Sequence, residues 1–237
     1  MSGSLLPTAV LVHGAFADAS SWAGVTERLE RAGVPVRAVV NPLRGVQADS
    51  AYVASVFQQI PGPVLAVGHS YGGVVITNAA SMVDNVVGLV YVAAFVPEEG
   101  ESLGEVVGSA LMPAVVESKY PTGQGSQTAS EFSIDPAKFH EVFAGDLSQQ
   151  QSDVMAVSQR PAAAATLSEK SGPSAWNRLQ SWAVVGTADK AMGPDLARSM
   201  ARRAGADITE IDGSHVVMMS QPDAVTEVIL RAHNAVS

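Results

Sequence analysis

Apolar residues in this chain come in short, nearly unbroken runs rather than in alternation. Residues 8–12, 36–40, 64–67 and 86–95 are rich in valine and bounded by Gly, Pro or Asn. Runs of this length predict strands buried on both faces, as in parallel sheets. Between them, residues 20–32, 49–60 and 72–82 carry helical spacing. Ser20 or Ser21 is placed to cap the first helix and Gly33 to end it. The order is βαβαβαβ, which predicts an α/β fold built on a parallel sheet with right-handed crossovers.

The pattern breaks at Pro97. From there to Gln180 the sequence predicts no strand. Residues 120–130 read as a Gly/Ser/Thr/Gln loop, and Asp135-Pro136 as the N-cap and first position of a helix reaching 143. Residues 147–159 and 162–169 read as helices separated by Pro161. The α/β alternation then resumes with a strand at 182–185, a helix at 195–204, a strand at 207–211 and a closing helix at 223–235. The expected organisation is a core domain, residues 1–96 and 181–237, with a helical cap, residues 97–180, inserted before the penultimate strand. The core would be a doubly wound, mostly parallel sheet of about six strands. In the order 2-1-3-4-5-6 the switch point falls between the first and third strands, and sites form there beyond the carboxyl ends.

Composition narrows the chemistry. A chain of 237 residues, 47% hydrophobic and 16% charged, forms a large core without staples. It has no cysteine, which excludes a disulfide scaffold, a Cys nucleophile and a Cys-ligated metal. The formal charge of −9 argues against a nucleic-acid backbone as partner. The first residues carry no positive charge, and the longest apolar run, 86–96, is too short to span a bilayer. The expectation is a cytoplasmic protein with no membrane partner; its oligomeric state is not written in the sequence.

The pattern G-x-S-x-G occurs twice, at Gly68-His69-Ser70-Tyr71-Gly72 and at Gly100-Glu101-Ser102-Leu103-Gly104. With 21 glycines the pattern alone has little weight. Context separates the two. A nucleophile elbow needs a strand running into the first Gly and a helix starting after the Ser. Residues 63–67 and 72–76 supply both around Ser70, whereas Pro97-Glu98-Glu99 cuts Ser102 off from the preceding strand. The candidate nucleophile is therefore Ser70. The first strand ends beside it at His13-Gly14-Ala15-Phe16. Acyl transfer needs two amides aimed at the developing oxyanion, and Ala15 and Tyr71 are the natural pair, with Phe16 as the competing first donor. Gly14 lets the backbone approach closely.

A serine nucleophile needs a base, and the base needs an orienting acid. His13 and His69 lie at strand exits and read as structural hydrogen-bonders. His140 falls in the expected cap and His233 on a solvent-facing part of the last helix. His215 follows the last strand on a turn at the carboxyl edge and is the candidate base. Asp189, just beyond the penultimate strand, is the candidate acid, with Glu98 as rival. No His pair at metal-ligand spacing occurs, so no metal is expected. Phe132, Phe139, Phe143, Leu111 and Met155 are offered as pocket walls.

Taken together, Val12-His13-Gly14-Ala15, Gly68 to Gly73, Asp189 and His215 resemble the α/β-hydrolase superfamily, whose triad order is Ser…Asp…His. Within it the chain resembles the branch of plant methyl esterases and hydroxynitrile lyases and their bacterial relatives. The resemblance implies an eight-stranded sheet truncated at its first edge, a helical cap and no cofactor. The lyases of that branch carry a hydroxyl side chain after the first His and a Lys after the catalytic His. Here those positions are Gly14 and Val216, which disfavours cyanohydrin cleavage. The expected activity is hydrolysis of a small, largely apolar carboxylic ester or lactone, with Gly14, Phe16 and Val216 against the substrate. Members of the fold that act as cofactor-free oxygenases, perhydrolases or ligand-binding receptors are the alternatives.

Overall fold

The computed structural model describes residues 5–107, 111–123 and 125–237. In chain order they form β1 (Thr8–Val12), a 3-10 turn at Ala19–Trp22, α1 (Ala23–Arg31), β2 (Val36–Val39), α2 (Val46–Gln58), β3 (Val64–His69), α3 (Tyr71–Ala80) and β4 (Val86–Val92). Next come α4 (Leu103–Val106), β5 (Val115–Pro121), β6 (Thr128–Ile134), α5 (Pro136–Val142), α6 (Gln149–Ser158), β7 (Ala162–Ala163) and α7 (Ala165–Ser168). The chain closes with β8 (Ser181–Gly186), α8 (Pro194–Arg203), β9 (Asp207–Ile211), α9 (Val217–Ser220) and α10 (Pro222–Ala235).

Six strands make one sheet in the order β2-β1-β3-β4-β8-β9, and every neighbouring pair is parallel. This is the order the sequence implies. Every residue of β3 and β8 is buried, which is why their sequences show no alternation. Helices α2 and α3 pack together, as do α1 and α10. All ten residues of α3 are buried. Ties between its glycines and the strands allow this: a Cβ at Gly72 would stand 2.4 Å from the Val12 carbonyl oxygen. No helix among the described residues is long and apolar enough to cross a membrane.

The stretch between β4 and β8 is not purely helical. Strands β5, β6 and β7 form an antiparallel three-stranded sheet. The supposed loop at 120–130 holds the end of β5 and the start of β6. Its turn is closed by the Thr122 amide and hydroxyl, which both donate to the Gln127 carbonyl, at 3.1 and 3.2 Å. The cause of the discrepancy is physical. Most β5 side chains are exposed, so the strand leaves no hydrophobic alternation in the sequence; backbone pairing defines it. Residues 162–169 likewise divide into β7 and the short α7. A smaller correction concerns the first helix, which opens with a 3-10 turn capped by Asp18, whose carboxylate accepts from the Ser20 amide at 2.7 Å. His233, expected at the solvent, is buried; its Nε2–H donates to the Pro7 carbonyl at 2.9 Å and fastens α10 to the entry of β1.

Candidate active site

Parallel strands bring all their carboxyl ends to one edge. There β1 runs into His13 to Phe16, β3 into Ser70, β8 into the turn bearing Asp189, and β9 into the turn bearing His215. Ser70 links β3 directly to α3 with φ +52° and ψ −123°. That conformation costs a non-glycine residue ~1–3 kcal/mol. Its neighbours hold it: the Ser70 amide donates to the Val92 carbonyl at 3.3 Å, and its carbonyl accepts from Gly73 at 2.9 Å and Phe95 at 3.2 Å. Across from it, a Cβ at Gly14 would stand 2.6 Å from Ser70 Cβ, so only glycine lets the β1 exit lie this close.

Asp189 and His215 form a buried pair. His215 Nδ1–H donates to Asp189 Oδ2 at 2.7 Å. The other oxygen, Oδ1, accepts from the amides of Ala191 and Met192, both at 2.9 Å. Burial pushes the Asp189 carboxyl up, but His215 alongside, its Nδ1–H bond and the two amides outweigh this and hold it below its ordinary value. With Nδ1 protonated, Nε2 is left as the basic nitrogen of the neutral ring. The Phe143 ring lies 4.9 Å from the His215 ring, and the His69 ring also lies 4.9 Å away.

The two strand-exit histidines are both neutral structural groups. His13 Nδ1–H donates to the Gly14 carbonyl at 2.9 Å, and its Nε2 accepts from the Asn41 amide at 2.9 Å. Burial lowers its pKa to about 4. His69 Nε2–H donates to the His215 carbonyl at 2.9 Å, and burial, with His215 alongside, lowers its pKa to about 3. Glu98, the rival acid, instead meets Arg203 at 3.4 Å on a half-exposed side chain. Ser102 caps α4, its amide and hydroxyl both donating to Glu105 at 3.1 and 3.0 Å.

Ser70 and His215 line one cavity together with Ala15, Phe16 and Tyr71. Apart from Thr166 the rest of its wall is apolar, drawn from Ala191 and from the stretch between β4 and β8, including Phe95, Leu111, Phe132 and Phe143. No Lys, Arg, Asp or Glu reaches it among the described residues. The Thr166 hydroxyl on the wall is donated to the Ala163 carbonyl at 2.8 Å. The Tyr71 hydroxyl is donated to buried Asp49 at 2.8 Å, where burial raises the carboxyl pKa. Ser70 and His215 are thus the polar side chains left to meet a ligand. As the first residue of α3, Tyr71 has no acceptor within the helix for its amide.

Other expected contacts fall elsewhere. Val216 is fully buried and is not part of the cavity wall. Phe139 is also buried and backs Phe143, with ring centroids 5.0 Å apart. Met155 lines a second, more polar cavity that shares Phe16 with the first. Leu103, Met112, Val115 and Leu167 are wall residues that sequence reasoning missed; nothing in their local pattern separates them from ordinary core.

Known proteins share this architecture. Polyneuridine aldehyde esterase superposes with a TM-score of 0.82 over 96% of this chain and 99% of that one, at 21% identity. A methylesterase from Arabidopsis gives 0.80 over 97% and 100%, at 18% identity. At these identities the likeness is one of fold. A carbendazim hydrolyzing esterase from Nocardioides sp. (strain SG-4G) is 33% identical over 119 residues, which cover 45% of this chain and 49% of that protein. The match thus spans about half the length of that relative. The sequence profile of the Alpha/beta hydrolase family matches residues 9–228, nearly the whole chain, and so the protein belongs to the Alpha/beta hydrolase family.

Proposed function

We propose that this chain is a serine esterase that hydrolyses small, uncharged, largely apolar carboxylic esters or lactones through an acyl-enzyme on Ser70. One arrangement carries the reading. Ser70, held in a strained turn, faces the same apolar cavity as His215, whose tautomer is fixed by Asp189. The esterase names of the relatives support the same class of bond.

The chemistry follows from the atoms present. Ser70 Oγ attacks the ester carbonyl carbon while its proton moves to His215 Nε2. Charge appears on the carbonyl oxygen, where the amides of Ala15 and Tyr71 receive it. Neither the Ala15 nor the Phe16 amide donates to another backbone group among the described residues, so both are free to take that role. Collapse of the tetrahedral intermediate breaks the bond to the alcohol oxygen, which leaves with the proton from Nε2. Water then attacks the acyl carbon, passes its proton to Nε2, and the acid departs as Ser70 Oγ takes the proton back. Asp189 stays ionised throughout and stabilises the imidazolium.

Residues 97–180 serve in this reading as a cap that supplies most of the acyl or alcohol contacts. A wall without charged groups favours neutral substrates, since a carboxylate entering it would lose its hydration without a partner. It also disfavours cyanohydrin cleavage, because no Lys or Arg lines the cavity among the described residues to receive departing cyanide. The test is steady-state hydrolysis of p-nitrophenyl acetate and butyrate beside a p-nitrophenyl ester whose acyl chain ends in a carboxylate. The neutral esters should turn over and the charged one should lag by at least about 100-fold, on the order of 3 kcal/mol. No turnover of either neutral ester by folded protein would overturn the proposal.

A further inference from the structure

The turn that carries His215 is short and is held from outside. Three consecutive residues on it are tied to three different parts of the molecule. The Gly213 carbonyl accepts from the Ala188 amide at 3.0 Å, next to Asp189. The His215 carbonyl accepts from His69 Nε2, next to Ser70. The Ser214 amide donates to Asp146 Oδ2 at 2.7 Å, and Asp146 stands between α5 and α6. Two ties therefore come from residues next to the acid and next to the nucleophile. The third comes from the stretch between β4 and β8.

We infer that Asp146 is a positioning residue: its carboxylate anchors the backbone at Ser214 and so sets the approach of His215 to Ser70. This rests on the role of His215 as base. Ser214 is buried, and a charged acceptor makes the stronger kind of bond to its amide. Hydrogen bonding from Ser214 outweighs burial and holds the Asp146 carboxyl below its ordinary value. The contact is a tether rather than packing, because a cavity lined by Val142, Asp146, Ala188 and Ser214 opens beside it. Three residues earlier, Phe143 packs edge-on against the His215 ring. One turn of chain thus fixes the ring of the base and its backbone together.

Asp146 lies at the surface, so its variants should fold. Misplacing a reacting group by about 1 Å costs up to ~100-fold in rate. Asp146→Ala should therefore lower kcat for p-nitrophenyl acetate by ~10-fold or more, with KM within about twofold. The rate of Ser70 phosphonylation by a fluorophosphonate should fall by the same factor. Asp146→Asn keeps an acceptor oxygen and should recover to within about threefold of wild type. Glu141→Ala removes a neighbouring charge without touching Ser214 and should change nothing. A second readout does not depend on activity. The low-field proton resonance of His215 Nδ1–H, identified by its loss in His215→Gln, should broaden or shift in Asp146→Ala and return in Asp146→Asn. The inference is overturned if Asp146→Ala leaves kcat and that resonance unchanged, or if Asp146→Asn or Glu141→Ala is as impaired as Asp146→Ala. If wild-type protein neither hydrolyses the ester nor reacts with the fluorophosphonate, the esterase reading fails instead, and the resonance alone decides the positioning role.

Discussion

Asp189→Asn is the substitution whose consequence the hydrogen-bond geometry fixes most tightly. The carboxylate serves two clients: Oδ1 accepts from the Ala191 and Met192 amides, and Oδ2 accepts from His215 Nδ1–H. An amide has one oxygen and one NH₂. Two backbone N–H groups at 2.9 Å claim the oxygen, because facing them with NH₂ would leave three donors together. The NH₂ is then turned to His215 Nδ1, which can only accept from it. The ring proton moves to Nε2, the nitrogen that takes the Ser70 proton in the proposed mechanism, and the base is then lost by its tautomer rather than by its position. A wrong tautomer in such a triad costs on the order of 10⁴ in kcat, or about 5.5 kcal/mol. The assay is single-turnover release of p-nitrophenol, with circular dichroism to confirm that the fold persists. A loss of less than about tenfold would show that Asp189 does not set the His215 tautomer, and Glu98→Gln would become the next variant to test.

Three further outcomes follow from other contacts. His13 and His69 are buried neutral, with pKa values lowered to about 4 and about 3. Their folded forms bind fewer protons than the unfolded chain below the ordinary value of 6.5, so stability should fall as pH drops from 6.5 towards 4, at up to ~1.4 kcal/mol per pH unit per group; urea midpoints at pH 7 and 4.5 would measure it, and a flat profile would refute it. Gly72→Ala should lower Tm despite the ~1 kcal/mol helical preference for Ala, because its Cβ would meet the Val12 carbonyl oxygen at 2.4 Å and overpacking costs ~1–3 kcal/mol; a raised Tm would contradict that packing. Mandelonitrile should release no cyanide above background at mildly acidic pH, since no Lys or Arg lines the cavity among the described residues, and Ser70-dependent release would require a stabilising group outside the described wall.

Much of this architecture is written locally, and some of it is not. Buried parallel strands such as Val64–His69 must be apolar at every position, so their signal survives without any knowledge of partners. The strand–turn–helix at Ser70 is legible for the same reason, and the absence of a leading strand is what sets Ser102 apart. The hairpin of β5 and β6 is different. Its strands are held by backbone pairing, most β5 side chains are exposed, and residues such as Glu117, Ser118 and Lys119 look like loop. His233 misleads because a polar side chain on a terminal helix reads as solvated, whereas one carbonyl, that of Pro7, is enough to bury it. Val216 follows the candidate base and so invites a role, yet the turn into α9 points it to the core. Asp49 carries a faint signal, an acid on the apolar stripe of α2 with Val46, Val53 and Phe57. Asp146 carries none, because its meaning lies wholly in the Ser214 amide 68 residues away.

The central claim is that Ser70 is the nucleophile, and trapping it tests that most directly. The folded protein would be treated with a fluorophosphonate, digested, and the modified peptide sequenced by mass spectrometry, alongside Ser70→Ala and Ser102→Ala. The account predicts one phosphonylated residue, Ser70, with labelling abolished by Ser70→Ala and untouched by Ser102→Ala. Labelling that persists in Ser70→Ala, or that maps to Ser102, would contradict it.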